Sequence, residues 1–149
     1  MKHPVAQARG VFFPSCRNYT AMKNFNAWNE TKQQLDHIDH RPPFVSEGDI
    51  WWVSIGENIG AEVGGKSRLF SRPAIIFKKL AQHFYLVIPT TTREKIGSWY
   101  VPFSQGGVDM RACLHQIRAM DYRRLSTKLG MLEQQDRAKI KIAFAKLYL

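Results

Sequence analysis

Gly48-Asp-Ile-Trp-Trp-Val-Ser-Ile55 is an apolar run of β type that leads into a glycine-flanked carboxylate, Glu62 within Gly60-Ala-Glu-Val-Gly-Gly65. A basic loop with Lys66 and Arg68 follows, and β-type residues resume directly behind the pair Arg72-Pro73. An arginine brings a fixed charge and a fork of donors matched to phosphate oxygens. In a chain of net charge +10, one carboxylate and one arginine at the mouth of a small β-barrel suit the binding and cutting of a polyanion. Further along, His115 is a group that titrates near neutrality and can give or take a proton.

Two other constellations carry less. Gly60-Ala-Glu-Val-Gly-Gly-Lys66-Ser67 satisfies the phosphate-loop spacing and has a strand before it. That chemistry needs a helix opening at Lys66, so that backbone N–H groups hold the phosphates. Here Arg68-Leu-Phe-Ser-Arg-Pro-Ala-Ile-Ile-Phe77 reads as a return to strand, so the match is accidental. His37 and His40 have the spacing of a helical metal pair but stand at a helix end with no third ligand, which reads as solvated surface. Cys16 and Cys113 lie far apart without a zinc or redox spacing, so the chain reads as reduced and cytoplasmic. No apolar run approaches the ~20 residues of a membrane span, and no signal-peptide core follows the basic start.

The elements that must position these residues fit one domain of 149 residues. Residues 1–21 lack periodicity and read as a loosely ordered extension, and Met22, immediately after it, offers an alternative start. Residues 22–43 read as a helix and linker: Phe25, Trp28, Leu35 and Ile38 fall on one face of a helix over 24–38, Asn24 is its N-cap, and Pro42-Pro43 ends it. From residue 44 the pattern turns to short strands, at Asp49–Ile55, Pro73–Lys78, His83–Ile88, Ser98–Phe103 and Ala112–Ala119. Sequential short strands of this kind predict a curled antiparallel sheet or small barrel. Glu133–Leu149 closes the chain as a helix with Ile140, Phe144 and Leu147 on its apolar stripe. Trp51, Trp52 and Trp99 read as core or contact aromatics, with base stacking as a further use.

Several of these residues, in order, resemble a known family. Gly48-Asp-Ile-Trp-Trp-Val resembles the first strand of the MazF/PemK toxins, the ribonuclease half of bacterial toxin–antitoxin pairs. Gly60-x-Glu62-x-x-Gly65 is similar to that family's glycine–glutamate turn, and Arg72-Pro73 before an apolar strand to its most diagnostic element. Pro89-Thr-Thr-Thr92 resembles its P-x-T-S/T strand end. Leu114-His-Gln116-Ile-Arg118-Ala-Met-Asp121, with Arg124-Leu125 and Lys128-Leu-Gly130, resembles its later block. The resemblance covers about residues 44–147 and departs in two places. Ser67–Ser71 lengthens the loop before Arg-Pro by five residues, and His115 stands where the family often has an acidic residue.

The resemblance implies a β-rich α+β fold, the small SH3-like barrel of CcdB, MazF and PemK toxins, over residues 44–149, with the N-terminal and C-terminal helices added. It implies a metal-independent endoribonuclease (an mRNA interferase), without cofactor, that cuts single-stranded RNA to 2′,3′-cyclic phosphate and 5′-OH ends. Arg72 matches the family's catalytic arginine and Thr91 its catalytic threonine. Glu62 and His115 are the two candidates for proton transfer, and that division stays open. Lys66, Arg68, Thr92, Lys95, Gln116 and Arg118 are the candidate substrate-binding residues. A homodimer is implied as well, as is an antitoxin whose acidic, disordered segment covers the RNA groove. A non-enzymatic CcdB-like toxin, or a nucleic-acid-binding module, acting by protein or DNA/RNA binding is the alternative.

Overall fold

The computed structural model describes residues 22–149; the extension 1–21, with Cys16, lies outside the described residues. Helix α1 spans Phe25–Asp36, capped as expected by Asn24, whose side-chain oxygen accepts from the Ala27 N–H at 3.0 Å. It stops short of the predicted 38, and Trp28 is its one fully buried residue; Phe25 stays about half exposed.

Seven strands follow: β1 Asp49–Ser54, β2 Ser71–Ala81, β3 Phe84–Thr91, β4 Tyr100–Gln105, β5 Val108–Cys113, β6 Arg118–Asp121 and β7 Leu125–Met131. All pairings are antiparallel, in the order β4-β5-β3-β2-β1-β7. The first half of β3 pairs instead with β6, so β3 divides its partners between Phe84–Val87 and Thr90–Thr91. Helix α2, Gln134–Tyr148, ends the chain. This is the β-rich architecture with a helix at each end that the sequence predicts.

Two expectations need correction. The single strand predicted over Ala112–Ala119 is two strands separated by a 3-10 turn, Leu114–Gln116, so His115 stands on a turn rather than in a strand. Strand β7 was not anticipated because Ser126, Thr127 and Lys128 face solvent and dilute its apolar signal.

The central strands are buried on both faces, which is why β1 reads as a continuous apolar run rather than an alternating one. Ile50, Ile75 and Ile88 join Val101, Phe103, Leu114 and Ile140 of α2 in one core. Trp51, Val53, Ala74, Ile76 and Val87 turn the other way and pack with Tyr85, Met120 and Leu125. Asp49 is fully buried between these layers. Its Oδ2 accepts from the Ser46 N–H (2.9 Å) and the Trp51 indole (3.4 Å). Oδ1 has no well-aligned hydrogen bond but has the Lys128 ammonium at 3.2 Å as counter-charge.

Candidate active site

Arg72 enters the sheet opposite Val53, on the second residue of β2. Its Nε donates to the Gly64 carbonyl at 2.8 Å and its guanidinium NH1 to the Thr90 carbonyl at 3.0 Å. The side chain is thereby fixed between the β1–β2 loop and the end of β3. Half-burial, with the Arg93 charge adding to it against the pull of Cys113, lowers the Arg72 pKa from its ordinary value. A guanidinium keeps its charge under any such shift.

Around Arg72 opens a cleft of about 620 Å³, lined by Trp52, Lys66, Thr91, Thr92, Arg93, Lys95, Tyr100, Cys113, His115 and Gln116 among others. Its walls carry Lys66, Arg72, Arg93 and Lys95, and no carboxylate among the described residues that line it. Such a cleft concentrates positive potential on whatever enters.

The threonine triplet divides its work. Thr90 is buried, and its hydroxyl donates to the Pro73 carbonyl at 2.6 Å, tying β3 to the Arg-Pro pair. Thr91 Oγ1 accepts from the Arg93 N–H at 3.2 Å, so its own hydroxyl proton remains available to the cleft. Thr92 stands at the exposed rim.

His115 projects from the 3-10 turn between aromatic neighbours, with ring centroids 5.1 Å from Tyr100 and 5.9 Å from Trp99. The turn is held from behind: Tyr148 of α2 donates to the Leu114 carbonyl at 2.6 Å, and the Leu114 N–H to the Trp99 carbonyl at 2.8 Å. Partial burial pushes the imidazole below its usual 6.5. The shift favours the uncharged ring, which keeps a nitrogen free to accept a proton.

Four of the sequence candidates sit differently. Glu62 is exposed and absent from the cleft walls, although its neighbours Ala61 and Val63 line them. Gln116 lines the cleft with its amide already engaged: Oε1 accepts from the Val63 N–H at 2.9 Å and Nε2 donates to the Ala61 carbonyl at 3.0 Å. Arg118 points to the end of β1, donating to the Ile55 carbonyl at 3.4 Å, and is outside the cleft. Arg68 lies exposed in the turn that the Phe70 N–H closes onto the Ser67 carbonyl, also outside it. Lys66, Thr91, Thr92, Lys95 and His115 join Arg72 in one place. Among them, Lys66 pairs with Ser71 by reciprocal backbone bonds of 2.9 Å, and no helix opens there, so the phosphate-loop spacing is indeed accidental.

Sequence reasoning missed Arg93, Tyr100 and Cys113 as cleft residues. Arg93 had a signal, since it directly follows the triplet that ends β3. Tyr100 and Cys113 face each other across β4 and β5, and β5 was not resolved from the turn that follows. The Cys113 thiol is pushed up to about 11 by burial, which outweighs the pull of the Arg72 and Lys95 charges.

Comparison with known proteins bears on the fold and the family. The family model described as PemK-like, MazF-like toxin of type II toxin–antitoxin system matches residues 46–148. Among solved structures, MazF from Deinococcus radiodurans superposes with a TM-score of 0.59 at 22% identity, over 70% of this chain and 97% of that one. An endoribonuclease in complex with its cognate antitoxin, from Mycobacterial species, gives 0.53 at 15% identity over 67% and 90%. A MazE–MazF complex from D. radiodurans gives 0.53 at 18% identity over 70% and 96%. No curated protein sequence matches. Seven antiparallel strands with two helices in the MazF fold, and a family match spanning most of the chain, make this protein a member of the PemK-like, MazF-like toxin family of type II toxin–antitoxin systems.

Proposed function

We propose that the protein is a metal-independent endoribonuclease that cuts single-stranded RNA through attack of a ribose 2′-OH on the adjacent phosphate. The observation that carries this reading is Arg72, held by two backbone carbonyls in a cationic cleft beside Thr91 and His115. The 2′-oxygen forms a bond to phosphorus, the bond to the 5′-oxygen breaks, and the products are a 2′,3′-cyclic phosphate and a 5′-OH. Arg72 stabilises the extra charge of the phosphorane, where fixed donors act most strongly. The Thr91 hydroxyl donates to a phosphate oxygen. His115, whose lowered pKa favours the neutral ring, takes the 2′-OH proton, and a proton from solvent reaches the leaving 5′-oxygen. Glu62, off the cleft wall, is left to the rim.

Lys66, Thr92, Arg93 and Lys95 bind the flanking phosphates, while Gln116 orders the loop that bounds them. Among the described residues the cleft lining carries no carboxylate to ligate a divalent cation. The same positive surface suits an antitoxin's acidic, disordered segment, which would order on binding and block RNA. A homodimer with RNA along the interface completes the proposal. Among the described residues no helix is long and apolar enough to cross a membrane.

The test is incubation of the purified protein with a long single-stranded RNA in excess EDTA, beside Arg72→Ala, with the new 5′ ends mapped. Cuts at a recurring short sequence, with 5′-OH ends and absent in the variant, support the reading. Intact RNA from a folded, antitoxin-free protein overturns it in favour of a toxin that acts by binding alone.

A further inference from the structure

Helix α1 lies outside the residues 46–148 that the family model matches, yet it is built into the foundation of the cleft. Trp28 packs so closely on Gly56 that a Cβ there would fall 2.3 Å from the indole. It meets the Phe70 ring edge-on at 5.5 Å, and the Arg124 guanidinium lies 5.7 Å from its own ring centroid. Arg124 in turn donates to the Ser54 carbonyl at 3.0 Å, at the end of β1.

Gly56 and Phe70 are the two ends of the loop between β1 and β2, joined by the Gly56 N–H to the Phe70 carbonyl at 3.0 Å. Trp28 therefore seals the base of that loop. Lys23, just ahead of the helix, donates its ammonium to the carbonyls of Asn58 and Gly60 further along it. From the base, the Gly65 N–H donates to the Gly56 carbonyl at 2.8 Å, and the neighbouring Gly64 carbonyl accepts from Arg72 at 2.8 Å. Two hydrogen-bonded steps thus separate the helix from the arginine.

We propose that α1 is a clamp on the β1–β2 loop and that Trp28 and Lys23 are positioning residues for Arg72. The helix holds the loop's base so that the Gly64 carbonyl stays on the guanidinium before RNA arrives. A long loop that is free must lose backbone entropy when it closes around a substrate, whereas a loop fixed in advance has less to lose. The loop runs from the end of β1 at Ser54 to the start of β2 at Ser71, a length at which an external clamp is more consequential than on a short turn. The catalytic consequence rests on the ribonuclease reading; the hold on the loop does not.

The experiment combines amide hydrogen exchange, read by NMR, with RNA cleavage kinetics on the full chain, using Trp28→Ala, Trp28→Phe and Lys23→Ala. In Trp28→Ala the Gly56 and Gly65 amides are expected to exchange about tenfold faster, as a local opening would produce. The Leu114 and Leu132 amides, bonded to the Trp99 and Gly48 carbonyls away from the loop, serve as controls and stay at the wild-type rate. Cleavage shows kcat down about tenfold with KM within about threefold, since the clamp acts on transition-state positioning. Trp28→Phe restores both, and Lys23→Ala gives the same pattern more weakly.

A folded Trp28→Ala with unchanged Gly56 and Gly65 exchange overturns the proposal, as does an equal rise at all four amides, which marks general destabilisation. If Trp28→Ala does not fold, the same amides in Lys23→Ala decide. A wild-type protein that leaves RNA intact removes the ribonuclease reading, while the exchange pattern still decides the clamp.

Discussion

Arg72 and Gly64 are joined by a 2.8 Å hydrogen bond from the guanidinium Nε to the carbonyl oxygen, so the β1–β2 loop and the direction of the arginine's charge are set together. The second bond, to the Thr90 carbonyl, fixes the remaining rotation. If Arg72 acts on a phosphorane as proposed, a side chain held at both ends would meet it without having to reorganise.

Replacement by lysine keeps the charge and discards this arrangement, because a single ammonium cannot reach two carbonyls in the same fork geometry. Arg72→Lys is expected to lower kcat/KM on single-stranded RNA by about a hundredfold or more, on the scale of losing one fixed donor to a transition state. Arg72→Lys close to wild type in activity would show that charge alone suffices.

Gln116 makes a different kind of contribution. Its amide bonds the Val63 N–H and the Ala61 carbonyl on either side of Glu62, and so ties the 3-10 turn carrying His115 to the loop carrying Gly64. Gln116→Ala leaves the half-buried Val63 N–H without this partner, at a cost of about 1 kcal/mol. A lowering of Tm by about 3 °C is expected for a chain of this size. Activity falls with RNA affinity nearly unchanged. A large rise in Kd for RNA with no change in Tm would instead assign the amide to substrate contact.

How much of this was legible in the sequence follows from the range of each interaction. Arg72-Pro73, the threonine triplet and the apolar run from Ile50 to Ile55 are local signals, and the strands they mark were placed to within a few residues. The Asn24 cap is equally local. The bonds from Gln116 to residues 61 and 63 and from Arg118 to Ile55 span more than fifty residues and depend on a sheet order that no short pattern encodes. The 3-10 turn at Leu114–Gln116 interrupted a stretch whose β-branched and apolar residues read as one strand. Trp28 was expected on an apolar helix face, but nothing in its neighbours pointed to Gly56, whose φ of +99° and missing Cβ make room for the indole.

Cys113 gives a measure of the cleft's floor. Burial at 4% exposure and a thiol pushed up to about 11 outweigh the attraction of the Arg72 charge. At pH 8 roughly one molecule in a thousand carries the thiolate, against about a quarter for a free cysteine. In a Cys16→Ser background, iodoacetamide should label the folded protein at least about a hundredfold more slowly than the unfolded one. Labelling at the free-thiol rate would mean that the floor opens to solvent.

On the proposed reading His115 is the group that sets the pH dependence, and the sign follows from its lowered pKa. A folded-state value below the usual 6.5 means that the unfolded chain binds more protons between the two values. The contribution to stability is then full above 6.5 and is lost as pH falls through the folded value. The side chain is largely exposed, so this effect on Tm is small, and the informative quantity is activity. If the neutral imidazole takes the 2′-OH proton, kcat/KM falls on the acid side with a midpoint below 6.5, coinciding with the His115 ring titration followed by NMR. His115→Gln removes that limb together with most of the rate. An acid limb that persists unchanged in His115→Gln would pass the proton transfer to another group, with Glu62 on the loop's outer side the first to examine.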